Sequence, residues 1–267
     1  MRPLEGVWGQ RLNLDRWVPY RSDGAAGCRV FCFPHAAGNA TFYRPLRDAM
    51  PGPIDFCPVE LPGRAVRIGE RPLTDIDTLL DTLSRTIRPL MTVPFAFFGH
   101  STGAAIAFEA ARRLRAADGR RAVHLFVSGR AAPDSESDGP PLHMLSDGAL
   151  RAALKRFGGT PDAVMARDEL IAALLPTMRA DLALADGRAD AGERLACPIT
   201  VLGGTDDTID LPSLEHWRSF TSERFRLRLF EGGHFYLTGA AAAVADEIAR
   251  DLSHGTGVAL ARMAEAD

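Results

Sequence analysis

Lysine is almost missing from this chain: Lys155 is the only one among 31 basic side chains, and the rest are arginine. Together with the many alanines, this bias reflects a GC-rich coding sequence more than a function. Charge of one sign is missing too. The net charge is −3 over 267 residues, which excludes a sequence-independent electrostatic grip on nucleic acid. No apolar run is long enough to span a bilayer, so no membrane association is expected. Met1 to Gln10 shows no charged segment followed by an apolar one, so no signal peptide is read there. Cysteine is sparse. Cys28, Cys32, Cys57 and Cys197 form no CxxC pair, and three of them lie in or beside apolar strand-like runs. They read as reduced core residues of a cytoplasmic protein, without a metal site. Repeats and low-complexity segments are absent as well.

What is present is an alternation. Short apolar runs at Arg29–Pro34, Phe56–Leu61, Phe95–Gly99, Ala122–Ser128, Ile199–Gly203 and Phe225–Phe230 read as strands. Most lack polar alternation, as strands buried on both faces do. The last, with Arg226 and Arg228, does alternate and reads as an edge strand. Helical spacing fills Asp75–Leu90, Thr102–Ala117 and Ala240–Leu252. This order predicts a single α/β domain over residues 1–267, with a mostly parallel central sheet and flanking helices. Residues 142–188 break the rhythm with helical patterns (Asp147–Phe157, Arg167–Leu175, Arg179–Asp186) and no strand. They follow the loose segment Ala131–Pro141. Such an insertion is expected to form a lid over the carboxyl ends of the strands, where open α/β sheets bind ligands, with Ala172 and Leu175 on its inner face. Residues 253–267 read as a frayed tail.

The chemistry is carried by Gly99-His100-Ser101-Thr102-Gly103, a G-x-S-x-G match with a strand before it and a helix after it. The turn is so tight that glycine is required on both flanks. Ser101 then projects at a helix N-terminus, where the dipole favours developing negative charge. A serine needs a base. His234, in Glu231-Gly232-Gly233-His234 after the last strand, has the right order and the right loop. His35, His124, His143, His216 and His254 lie elsewhere, and His100 points away from Ser101. The acid belongs to the loop after the preceding strand, where Asp206, Asp207 and Asp210 compete. Spacing does not choose between Asp206 and Asp207. Two backbone donors would complete an oxyanion hole: the amide of Thr102, and one from the loop Phe33-Pro34-His35-Ala36-Ala37-Gly38, where Ala36 is the candidate.

Several segments together resemble a known family, the type II (editing) thioesterases that accompany polyketide synthases and nonribosomal peptide synthetases. They are Phe31–Gly38, Glu60-Leu61-Pro62-Gly63-Arg64, Phe98–Ser101, Phe157-Gly158-Gly159-Thr160-Pro161, Leu175-Pro176 with Arg179-Ala180-Asp181, and Gly232–Leu237. The Gly-Gly-Thr-Pro and Arg-Ala-Asp segments lie in the predicted lid and are not general to α/β hydrolases. The resemblance implies an α/β-hydrolase fold. It also implies hydrolysis of acyl groups from the phosphopantetheine arm of acyl or peptidyl carrier proteins, clearing aberrant or stalled units. No cofactor and no metal would be needed. The triad would be Ser101, Asp207 and His234, because the family's acid is usually the second of the paired acidic positions. Ala36 and Thr102 would supply the oxyanion donors. Two places depart from the family: Thr102 stands where methionine is usual, and Ala37-Gly38 stand where Gly-Gly follows the first loop alanine. The Thr102 donor is backbone, so the hole survives the change. The alternatives are an esterase or acyltransferase on small molecules, and a non-catalytic binding module.

Overall fold

The computed structural model describes residues 13–22, 24, 26–135, 139–158, 166–186 and 194–256. Among them the strands β1 (Cys28–Phe33), β2 (Ile54–Pro58), β3 (Phe95–His100), β4 (Leu125–Ser128), β5 (Ile199–Gly204) and β6 (Phe225–Phe230) form one sheet. The spatial order is β2-β1-β3-β4-β5-β6, and every neighbouring pair runs parallel. All six sequence-predicted strands are there. The second ends earlier than Leu61, and the fourth begins later than Ala122.

Strands β1 to β5 are buried along their whole length, so their alternating residues feed two apolar layers. Phe31, Phe33, Phe97, Leu125 and Val201 join the layer that holds helices α2 (Ile76–Ile87) and α3 (Thr102–Asp118). Val30, Cys32, Phe98, Phe126 and Leu202 face the other layer, with α1 (Arg44–Asp48) and α7 (Ala241–Thr256). The four cysteines are free and buried. Strand β6 lies at the sheet edge and is half exposed, as its alternation predicts. Its Arg226 and Arg228 pair with Glu247 of α7, a charged edge that discourages further strand pairing.

The chain leaves β1 toward β2 on one side and enters β3 on the other. The carboxyl ends of β1 and β3 therefore flank a switch point, the place where such sheets open a crevice.

The insertion between β4 and β5 is helical. Helix α4 (Asp147–Phe157) is capped by Ser146, whose side chain accepts the Ala149 N–H, and ends on Gly158 in the left-handed region. Helix α5 (Asp168–Ala185) follows, and α6 (Leu211–Glu215) lies after β5. Leu150 of α4 packs with Ile171 and Leu175 of α5 in a separate small cluster. Leu184 of α5, by contrast, enters the main core. Leu175 thus binds the two insert helices together, and Ala172 is exposed, so these two do not form the inner face expected of them. The two lie three residues apart, about 60° around the helix, so Ala172 sits at the exposed margin of the face that Leu175 buries. Residues 159–161 of the family-like turn lie outside the described residues. At the carboxyl terminus α7 continues to Thr256, where fraying from Ser253 was expected; 257–267 lie outside the described residues.

Candidate active site

Ser101 closes β3 and caps α3 with φ 55° and ψ −117°. A non-glycine residue held in this sparsely populated region costs about 1–3 kcal/mol and persists only where its surroundings enforce it. Here they do. A side chain at position 99 would lie 2.0 Å from the Gly103 carbonyl oxygen, and one at 103 would lie 2.1 Å from that of Phe33. The elbow is therefore pressed against both its own helix and the end of β1. The Ser101 N–H donates to the Ser128 carbonyl (2.8 Å), which fixes the turn to β4. Thr102, the first residue of α3, is buried. Its N–H and that of Ala36 have no acceptor among the described residues. The close approach of Gly103 to Phe33 and Pro34 brings the Ala36 loop beside the start of α3.

The acid and the imidazole come from two loops that are stitched together. The Asp206 N–H donates to the Gly232 carbonyl (2.9 Å), and the Thr205 N–H to that of Phe230 (2.9 Å). Only glycine fits at 204, because a side chain there would lie 2.3 Å from the carbonyls of Gly232 and Gly233. This stitching sets His234 Nδ1 at 2.9 Å from Asp207 Oδ2, with both side chains buried. Burial by itself would raise the Asp207 pKa, but the hydrogen bond and charge of His234 outweigh it and hold the carboxyl below its ordinary value. The three aspartates divide the work. Asp206 is exposed and serves through its backbone, while Asp210 caps α6 through the Ser213 N–H. Asp207 alone reaches the imidazole.

Three more rings surround His234. His100 lies 5.0 Å away, centroid to centroid, Phe235 5.1 Å and Phe157, at the tip of α4, 5.3 Å. His100 does turn from the serine: its Nδ1 shares a hydrogen bond with Ser128 Oγ (2.8 Å), which in turn bonds Tyr236 OH (2.6 Å). Burial, followed by the proximity of His234 and His35, pushes its pKa well below the usual imidazole range. His35 is likewise pushed down to about 3, by burial first and then by His234 and Arg64. Two neutral imidazoles therefore lie close to His234. Sequence reading singles out Ser101, His234 and the acid loop, and the fold pairs His234 with Asp207 of that loop. The same reading misses the covering ring of Phe157, which no local pattern singles out.

A carboxylate accepting the Nδ1–H leaves Nε2 as the basic nitrogen. A strained serine at a helix N-terminus, such an imidazole and two unengaged amides are the parts of an acyl-transfer site. The comparisons agree with this chemistry. A family model, the thioesterase domain, matches residues 28–254. The gramicidin S biosynthesis protein GrsT of Aneurinibacillus migulanus is 37% identical over 228 residues, covering 84% of this chain and 89% of that protein. Thioesterase PikA5 of Streptomyces venezuelae is 34% identical over 260 residues, covering 95% and 92%. Among solved structures, the type II thioesterase BorB from the borrelidin biosynthetic cluster superposes with a TM-score of 0.79 at 39% identity, covering 89% of this chain and 98% of that one.

Proposed function

The chain belongs to the thioesterase-domain family and is a thioester hydrolase, and on that premise we propose that Ser101, His234 and Asp207 hydrolyse acyl groups from the phosphopantetheine arm of a carrier protein. The observation that carries this reading is the 2.9 Å pair of His234 and Asp207 on two stitched loops, in the same fold as the strained Ser101 turn. Ser101 Oγ attacks the thioester carbonyl while His234 Nε2 takes its proton. The oxyanion is held by the amides of Ala36 and Thr102. The C–S bond breaks, and the thiol leaves with the proton from His234. Water then gives a proton to the same nitrogen and attacks the acyl-serine. The acid departs, and Ser101 recovers its hydrogen. The names of the relatives, from gramicidin S, borrelidin and other biosynthetic systems, support release of stalled or aberrant acyl units from assembly-line carrier proteins. No helix among the described residues is long and apolar enough to cross a membrane. On the likeness to those biosynthetic proteins, the acyl pool and the carrier are proposed to be cytoplasmic.

Two measurements test this. A fluorophosphonate should form its adduct on Ser101. Acyl-pantetheine thioesters, free and on a carrier protein, should be cleaved faster than the matching oxygen esters. An adduct elsewhere, or a preference for the oxygen ester, would sink the assignment.

A further inference from the structure

Two of the family-like segments, Glu60–Arg64 and Arg179–Asp181, have no part in the chemistry above, yet the fold brings them together. Arg64 and Asp181 are 117 residues apart in sequence and form a buried two-pronged ion pair: Nη1 donates to Oδ2 and Nη2 to Oδ1, each at 2.6 Å. Their side chains are only 5% and 2% exposed. What they touch next is the loop after β1. The Ala37 N–H donates to Asp181 Oδ2 (2.7 Å), and Arg64 Nη1 also donates to the Gly38 carbonyl (3.0 Å). Two residues further on, the Ala40 N–H donates to Glu60 Oε2 (3.2 Å), a second buried carboxylate from the same segment as Arg64. Ala37 itself has φ 57°, a left-handed conformation that an alanine holds only when its neighbours impose it.

We infer that Arg64 and Asp181 are positioning residues: their ion pair holds the Ala36–Gly38 loop in the shape that aims the Ala36 amide at the oxyanion. This rests on the reading of Ser101 and its two amide donors proposed above. The physical case has two parts. First, a buried ion pair is a poor way to attach a helix, because removing both charges from water costs about as much as their attraction returns, and an apolar pair of equal volume often holds better. Second, besides the bonds of Arg64 Nε and Nη2 to the Pro62 carbonyl in its own segment, the pair reaches backbone atoms of a single loop, one on each side of the Ala37–Gly38 peptide. The Ala37 N–H belongs to the same peptide plane as the Ala36 carbonyl, so fixing it fixes the orientation of Ala36. Helix α5 is itself held to the segment of Arg64 by Thr177, whose hydroxyl donates to the Gly63 carbonyl (3.1 Å). The second insert helix and the Ala36–Gly38 loop are thus tied to each other through the Arg64 segment. A donor misplaced by a fraction of an ångström weakens the transition state and leaves ground-state binding nearly untouched.

The test compares Asp181→Asn, Arg64→Lys and the double variant Arg64→Met with Asp181→Leu, which replaces the ion pair by an apolar one. The readouts are kcat and KM on an acyl-pantetheine thioester, affinity for a trifluoromethyl ketone that forms an oxyanion on the serine, and the unfolding midpoint. In Asp181→Asn and the double variant, kcat and ketone affinity should fall together by roughly 10- to 100-fold, with KM within about threefold. The double variant should nevertheless unfold near the wild-type midpoint. Arg64→Lys keeps the charge without the fork and should lose less of both. If Asp181→Asn does not fold, the apolar pair decides. Wild-type kcat and ketone affinity in any folded variant lacking the carboxylate would overturn the inference, as would a rise in KM alone. Absence of a fluorophosphonate adduct on wild-type Ser101 would instead remove the reading beneath it.

Discussion

The molecule contains two sets of hydroxyl, imidazole and carboxylate, at opposite ends of the sheet. At the carboxyl ends of the strands stand Ser101, His234 and Asp207. At the amino ends stand Thr200, His124 and Asp251, where Thr200 Oγ1 lies 2.9 Å from His124 Nε2 and donates to Asp251 Oδ2 at 2.6 Å. The second set is the better buried, with all three side chains at 1% exposure or less. It is inert for reasons that define what the first set needs. Its hydroxyl proton goes to the carboxylate, so the imidazole must donate to the hydroxyl and cannot act as its base. Thr200 lies inside β5, between β4 and β6, with its backbone engaged on both sides and no strained turn to expose it. Asp251 is shared with Arg224 and Arg226. This set staples α7 and the edge strand to the sheet. On the proposed reading of Ser101, the three residue types do not by themselves make a nucleophile; the strand end, the strained elbow and the unengaged amides do.

The comparison breaks most easily at the two hydroxyls. Ser101→Ala should reduce turnover to background and leave the unfolding midpoint within a few degrees. Thr200→Val should do the reverse, leaving two buried partners unsatisfied at about 1–3 kcal/mol of stability while kcat of the folded enzyme stays within about twofold of wild type. Steady-state kinetics beside urea titrations would show it. Residual turnover in Ser101→Ala, or lost turnover in folded Thr200→Val, would mean the two ends have been read the wrong way round. The next largest effect is at the acids. Asp207→Asn should cost on the order of 10⁴ in kcat, as in the worked serine-protease case, because asparagine favours the wrong tautomer and cannot support an imidazolium. Asp206→Asn keeps its backbone bond to Gly232 and should stay within a few-fold of wild type.

Acid sharpens the contrast. Burial, which outweighs the favourable charge of Asp251, pushes the His124 pKa down from 6.5 to about 4. Between those values the unfolded chain takes up a proton at this site and the folded chain does not. Stability should therefore fall as pH drops from 6.5 toward 4, by at most about 1.4 kcal/mol per pH unit for each such histidine. His35, held near 3, adds to the same slope. Urea midpoints against pH for His124→Gln should show a shallower decline over this window, and an unchanged slope would refute the assignment of the buried neutral form.

Much of this is legible in the sequence. The run Phe225–Phe230 is β6 to the residue, because the alternation of Arg226 and Arg228 with apolar neighbours is the pattern of an edge. Ser101 and His234 follow from chain order and glycine placement. Asp206 and Asp207 did not separate on spacing, because both follow the same strand; what distinguishes them is a backbone bond from Asp206 to Gly232 that turns Asp207 inward. The Arg64–Asp181 pair was visible only as two unexplained motifs, since contact across 117 residues leaves no periodicity. The insert reads as three helical patterns, and the structure joins Arg167–Leu175 and Arg179–Asp186 into the one helix α5, which runs through Pro176; the unlike packing of α4 and α5 is not visible in the sequence at all. Both have helical spacing, and only packing shows that α5 enters the main core while α4 does not.

That division leads to the smallest effect. The amino-end set is sealed by α7, whereas the carboxyl-end set is covered by the tip of α4, where Phe157 lies against the His234 ring at an interplanar angle of 43°. Helix α4 buries only Leu150 and Ala153. Helix α5 is bound by Asp181 and Thr177 to the Arg64 segment, and its last turn by the Arg130 donor to the Ala185 carbonyl (2.8 Å). If one part of the insert moves to admit the pantetheine arm, it is α4, pivoting on its small apolar cluster while α5 stays in place. Amide hydrogens of α4 should then exchange faster than those of α5 and of the central strands. Aromatic pairs of this kind are worth about 0.5–1.5 kcal/mol, so Phe157→Ala should change kinetics by only roughly 2- to 12-fold. The change should fall on KM for longer acyl chains, which rest on the cover, and spare acetyl thioesters. Uniform loss across chain lengths, or exchange in α4 as slow as in β3, would show that the cover is fixed and that α4 and α5 differ in packing alone.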